Sequence, residues 1–229
     1  MDVGMTAHEA ARLLPDIPVL RDLCRSMAVL DAILSPEWSS RFHSHDTSWG
    51  PAEDMASMRN GSGDEYAIVF SAAGAYIRGF AHESAMSPYG HDGPWTGVVD
   101  SVPEVFRPWV EEPASCDEGG MPVVTACLWR QNGDDRWSVG EIDYPDGASD
   151  PDGAAYVFER LVDPRPEAFQ RYAEDSFDVA VGLDAVRHVH ALRPLTRAVV
   201  TALNPTFFWR ISPKISQQRG TQLSPVEFP

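Results

Sequence analysis

Residues 65–82 of the chain read EYAIVFSAAGAYIRGFAH, and this stretch decides the fold. Tyr66, Ile68 and Phe70 recur at every second position, so their side chains share one face of an extended strand. The segment Ala72-Ala73-Gly74 can turn the chain, and residues 75–82 can return beside the first strand. The stretch therefore predicts a β-hairpin with one buried face.

A second hairpin is predicted farther along the chain. Residues 121–130 have the pattern of a strand, residues 131–134 that of a turn, and residues 137–142 that of a returning strand. Segments that could add further strands are residues 41–48 and 54–59. Together these segments predict an antiparallel β-sheet of about four to six strands.

Helical patterns lie before and after the strands. Thr6 and Glu9 have the spacing of a capping box, and apolar residues recur at helical spacing from Ile17 to Leu34. Further helices are predicted over residues 101–111, 152–162, 166–177, 183–192 and 195–203. Strands grouped between helices predict an α+β fold, with helices flanking the sheet in the N- and C-terminal parts. We expect residues 1–203 to form a single domain.

The end of the chain differs in composition. Residues 204–229 carry a net charge of +2, whereas the preceding 203 residues carry −18. Apart from Phe207, Phe208 and Trp209 this stretch holds few apolar anchors. It is too polar to offset the entropy of being ordered, so we expect residues 204–229 to form an irregular tail.

The charge of the whole chain limits its partners. The formal net charge is −16, and 17 of the 18 basic residues are Arg, which is typical of a high-GC bacterial genome. A surface this acidic repels phosphate backbones and anionic lipids. The sequence therefore disfavours binding to nucleic acid or to a membrane, and it favours either solubility alone or a basic protein partner.

The remaining general signals indicate a cytoplasmic protein. Cys24, Cys116 and Cys127 are far apart, which argues against a disulfide framework. The sequence shows no signal-peptide pattern and no apolar run approaching ~18 residues. Phosphate-binding and dinucleotide-binding glycine motifs are also missing from the sequence, so we expect no bound cofactor.

His43, His45 and Asp46 form a candidate metal site. Residues two apart on a strand face the same side, so both imidazoles could bind one metal ion. Asp46 could be a further ligand or could orient one of the rings. Histidines that serve only packing or the surface are the alternative, because the sequence does not complete any known metallohydrolase pattern.

His82 and Glu83 are candidate catalytic residues. The pair begins like a zincin motif, but Met86 stands where the second His would be, so that motif fails. His82 at the end of a strand could still act as a general base if it pairs with Glu83 or Asp92. A polar residue that only ends the strand is the alternative.

One resemblance covers most of the chain. The segments GFAHES at residues 79–84, MSPY at 86–89 and SVPEVF at 101–106 resemble a family of uncharacterised bacterial proteins, of actinobacterial type, from about Met27 to Asn204. The resemblance implies no activity and no catalytic residue. Members of that family end in a short acidic helix after the position of Pro205, and this chain departs from them there.

Two functions follow as hypotheses. The first is a non-catalytic, immunity- or antitoxin-like module that binds a basic protein, which fits the acidity and the lack of catalytic motifs. The second is a small metal- or His-dependent hydrolase that uses His82 and Glu83, or His43, His45 and Asp46. Whether the chain is an enzyme stays open at this point, as does its oligomeric state.

Overall fold

The computed structural model describes residues 4–207, and the chain divides into two compact units. Unit 1 comprises Met1–Cys24 and Phe42–Pro164, and unit 2 comprises Arg25–Arg41 and Arg165–Pro229. The single domain expected over residues 1–203 stays a prediction, and the expected tail lies outside the described residues from residue 208 onward.

Unit 1 contains a five-stranded antiparallel sheet in the order β1-β2-β3-β4-β5. The strands are β1 (His43–Gly50), β2 (Glu53–Arg59), β3 (Glu65–Ser71), β4 (Gly74–Phe80) and β5 (Ala126–Gln131). The predicted α+β fold is confirmed, as are both further strands. The first hairpin is confirmed too, because β3 pairs with β4 from Glu65↔Phe80 to Ser71↔Gly74.

The second predicted hairpin forms only in part. β5 pairs with β4, but the segment predicted as its returning strand contributes one isolated bridge, Trp129↔Ser138. Gly140 explains why pairing stops, since a Cβ there would meet the carbonyl oxygen of Gly97 at 1.8 Å. Contact with that distant loop takes the chain away from β5, so the prediction of a full strand over residues 137–142 was wrong.

The helices of unit 1 are short. They are α1 (Ala7–Leu13), the start of α2 (Ile17–Leu34), α3 (Arg107–Val110), α4 (Ala154–Val157) and α5 (Glu159–Val162). The capping box of Thr6 and Glu9 is present. Asp152 is fully buried, and its carboxylate accepts hydrogen bonds from the backbone amides of Ala7 (2.8 Å) and Ala154 (3.0 Å). One side chain therefore caps two helices that are far apart in sequence.

Both faces of the sheet carry buried side chains. One face belongs to an apolar cluster of Tyr76, Met86, Val98, Val102, Phe106, Val110, Val124, Cys127 and Trp129. On the other face, Gly79 leaves room for Phe158, whose ring a Cβ at position 79 would meet at 2.6 Å. Arg21 of α2 lies over the ring of Phe70, 5.1 Å from its centroid, as expected for a helix that packs on the sheet.

Unit 2 is helical among its described residues. It contains the rest of α2 together with α6 (Pro166–Phe177), α7 (Leu183–His190) and α8 (Arg197–Leu203), all near their predicted positions. The hydroxyl of Tyr172 donates to the buried carboxylate of Asp31 at 3.3 Å, and the amide of Asn204 donates to the carbonyl of Ile33 at 2.8 Å. Among residues 4–207 no helix combines the length and the apolar character needed to cross a membrane.

Candidate functional site

The two histidines of β1 share one face of the sheet, and Asp46 lies on the other. His43 pairs with Met58 and His45 with Ala56, whereas Asp46 pairs with Met55 and alternates to the opposite face. The Asp46 carboxylate accepts a hydrogen bond from the backbone amide of Ser48 at 2.8 Å. The structure thus brings together two of the three proposed metal ligands and separates the third from them.

The carboxylate near His45 belongs to Asp54, which the sequence reasoning missed. Its Oδ2 lies 3.9 Å from Nε2 of His45 and 3.5 Å from Nε of Arg21. The spacing of β1 and β2 could have indicated this neighbour, since Asp54 is diagonal to His45 across the hairpin. Among residues 4–207, His, Cys, Asp and Glu form no group of three arranged to hold a metal ion. The metal site therefore stays a prediction.

His82 pairs with Asp64, a partner that was also missed. Nδ1 of His82 lies 2.7 Å from Oδ1 of Asp64, and the same oxygen accepts the backbone amide of His82 at 2.9 Å. Glu83 is farther, with Oε1 3.8 Å from Nε2 of His82, and its side chain is 89% exposed. The first hairpin explains the pairing, because Asp64 precedes β3 and His82 follows β4, so the two meet at one end of the hairpin.

The Asp64–His82 pair is fixed by its surroundings. The amide of Asn60 donates to the other oxygen of Asp64 at 2.7 Å. Burial alone would raise the pKa of Asp64, but the hydrogen bonds from His82 and Asn60 lower it. The hydrogen bond to Asp64 raises the pKa of His82. A carboxylate that holds one ring nitrogen of a histidine is the arrangement that orients a general acid or base.

A groove lies on the face of the sheet opposite His43 and His45. Its floor includes Met55, Ser57, Ala67 and Val69, and aromatic side chains and a loop close its sides. The other lining residues are Trp49, Arg59, Glu65, Tyr66, Tyr76, Arg78, Trp109, Glu112, Ala114 and Ser115. The cavity volume of the groove is about 70 Å³, below the usual range of drug-sized sites, and the groove is partly open to solvent, so it suits only a small ligand.

Three charged side chains form the polar end of the groove. Glu65 accepts a hydrogen bond from the guanidinium of Arg78, and its second oxygen lies 3.3 Å from Nε of Arg59. Arg78 also donates to the backbone carbonyl of Val123 and is only 5% exposed. Sequence reasoning missed this cluster because Arg59, Glu65 and Arg78 lie on three strands, and only the observed register places them side by side.

The cysteines are poor nucleophiles. Burial raises the pKa of Cys127 to about 12, and it raises the pKa of Cys24 and of Cys116 as well. These thiols therefore stay protonated at neutral pH, and a covalent mechanism through any of them is disfavoured.

Comparison with protein-family models, with curated proteins and with solved structures found no match to this chain. The resemblance to bacterial proteins thus stays a prediction.

Proposed function

We propose that the protein is a binding module for a basic partner protein. The observation that carries this proposal is the separation of charge between the units. Unit 1 holds 26 acidic and 8 basic residues, a net of −18, whereas unit 2 holds 8 acidic and 10 basic residues, a net of +2. A net negative charge that served solubility alone would have no reason to be confined to one unit. A binding surface, by contrast, occupies one part of a molecule, so its charge is expected to be localised.

The segment Glu111–Glu118 is the part of unit 1 that best suits this role. It contains Glu111, Glu112, Asp117 and Glu118 and no basic residue. Exposed Val105 and half-buried Trp109 precede it, and such apolar and aromatic side chains beside charges are typical of protein interfaces. A basic surface that docks here would gain attraction at long range and apolar contact at short range.

The test is association of the full chain with the basic products of the genes beside its own. The variant E111Q/E112Q/E118Q removes three charges and leaves Asp117, which caps the amides of Gly119 and Met121. We expect this variant to bind about tenfold more weakly, and added salt to weaken binding by the wild type. The matched control E37Q/D175N/D184N removes three exposed charges from unit 2 and should bind like the wild type.

Two results would reject the proposal. One is that none of these basic proteins binds more tightly than cytochrome c, which serves as an unrelated basic protein. The other is that the two triple variants weaken binding equally, because the charge of unit 1 would then have no special role.

A hydrolase is the second candidate, and the Asp64–His82 pair favours it. The carboxylate fixes one nitrogen of the ring at 2.7 Å, as in enzymes that use histidine as an acid or base. If the protein is a hydrolase, the H82Q variant should lose the activity and the H188Q variant should keep it, since His188 lies in unit 2.

Metal analysis of the purified protein separates the metal-dependent form of this hypothesis from the metal-free one, because only the metal-dependent form requires stoichiometric metal.

A further inference from the structure

The polar end of the groove holds two guanidinium groups and one carboxylate, and Glu112 brings the formal charge of the whole lining to zero. Glu65 is shared by Arg59 and Arg78, so one carboxylate faces two guanidinium groups. This cluster lies in the unit whose net charge is −18. Two arginines against one acid leave charge and hydrogen-bond donors for an anionic oxygen, and the planar guanidinium matches a carboxylate best.

The donor capacity of Arg78 is incompletely used. Its Nε is buried and, among the described residues, has no hydrogen-bond acceptor, although both terminal nitrogens of the guanidinium are engaged. Buried donors in proteins are almost always paired with protein, water or ligand. Arg78 lines the groove, so its unpaired buried Nε is a donor that the acceptor atom of a ligand could satisfy after a small shift of the neighbouring side chains.

The rest of the groove is apolar and aromatic. Trp49 is 40% exposed, and Trp109 packs beside Tyr76 with ring centroids 6.4 Å apart. Met55 and Val69 pair across β2 and β3 in the floor. An apolar enclosure with a few convergent polar groups is the usual composition of a small-molecule site.

We propose that this groove binds a small monocarboxylic acid with a flat apolar body. The carboxylate lies against the guanidinium groups of Arg59 and Arg78, and the apolar body lies against Trp49 and Trp109. Glu112 lines the same groove, so a second negative charge on the ligand would be repelled. The site therefore selects monoacids over diacids, and this selection goes beyond the binding of a basic protein.

The experiment is calorimetric titration of the full chain with phenylacetate, indole-3-acetate and hexanoate. We expect saturable binding of the two aromatic acids, and binding at least about tenfold weaker for phenylacetamide, which lacks the charge. Phenylmalonate, which carries a second carboxylate, should also bind more weakly than phenylacetate.

Two pairs of variants locate the site. Arg59 is 73% exposed, so R59Q should fold normally and bind phenylacetate about tenfold more weakly, while R136Q, outside the groove, should bind like the wild type. W49A should weaken binding, whereas W38A, which removes an exposed Trp of unit 2, should not. Thermal unfolding of each variant checks that the fold is intact.

The proposal is overturned if none of the three acids shows saturable binding in the millimolar range. Equal binding of phenylacetate and phenylacetamide would show that the arginines do not recognise the charge. Equal loss of binding in R59Q and R136Q, with both variants folded, would place the ligand elsewhere on the surface.

Discussion

The two units use their buried carboxylates in different ways. In unit 1, Asp152 accepts two backbone amides from segments that lie far apart in sequence. In unit 2, Asp31 accepts the hydroxyl of Tyr172, a contact from one helix side chain to another. The buried carboxylate of unit 1 thus satisfies two backbone amides, whereas that of unit 2 joins two helices through a side chain.

The largest expected effect comes from removing the carboxylate of Asp152. D152A leaves the buried amides of Ala7 and Ala154 without acceptors, so we expect it to lower the free energy of unfolding by about 2–4 kcal/mol. Y172F in unit 2 removes one hydrogen bond and should cost about 1–2 kcal/mol. Chemical denaturation measures both, and a smaller loss in D152A than in Y172F would contradict the comparison.

Substitution of one glycine in each unit provides a second comparison of the two units. G79A places a methyl group against the ring of Phe158 in unit 1, and we expect it to lower the free energy of unfolding by about 1–3 kcal/mol. G182A in unit 2 meets no atom within 4 Å and loses only the preference for Gly over Ala at the N-cap of α7, so it should cost less than G79A, about 0.5–1 kcal/mol. Equal stability of the two variants would show that Phe158 can move aside.

The pH dependence of stability tests the burial of Asp152. Burial raises the pKa of Asp152 to about 6, above its value in an unfolded chain. The contribution of this group to stability is therefore complete below pH ~4 and is lost as the pH rises through 6. From pH 4.5 to 7.5 the wild type should lose roughly 1–3 kcal/mol more than D152N does. Parallel pH profiles of the two proteins would contradict this assignment.

The smallest expected effect concerns His82. Its pKa is raised chiefly by the hydrogen bond to Asp64, so D64N should lower the pKa measured by NMR titration of the ring. E83Q removes only the more distant carboxylate, 3.8 Å from the ring, and should lower the pKa less. A larger drop in E83Q would mean that Glu83 is the dominant partner.

The fold could be predicted where its signals are local. The alternation of apolar residues from Tyr66 to Phe70 and the turn at Gly74 predicted the first hairpin. The helical spacing of apolar residues predicted α2. The second hairpin failed because Gly140 makes its decisive contact with Gly97, more than thirty residues earlier in the chain. No local pattern reports such a contact.

The candidate site residues also differ in whether local sequence patterns could predict them. The sequence pointed to His82 and His45, but their nearest carboxylates, Asp64 and Asp54, depend on strand register. The cross-strand pairing that follows from the predicted turns indicates both carboxylate partners, Asp64 and Asp54. The groove could not be predicted in this way, because Trp109 of α3 and Glu112 just after that helix reach it along a path that only tertiary packing decides.

Strand β1 also bears on how copies of this protein behave in concentrated solution. Within residues 4–207, β1 is hydrogen-bonded to β2 alone, and an open sheet edge is a template for aggregation. Its sequence is polar, its register slips between Asp46 and Gly50, and the Asp46 side chain occupies the amide of Ser48. A polar and irregular edge of this kind is a poor template for a further strand, so we expect β1 to disfavour self-association.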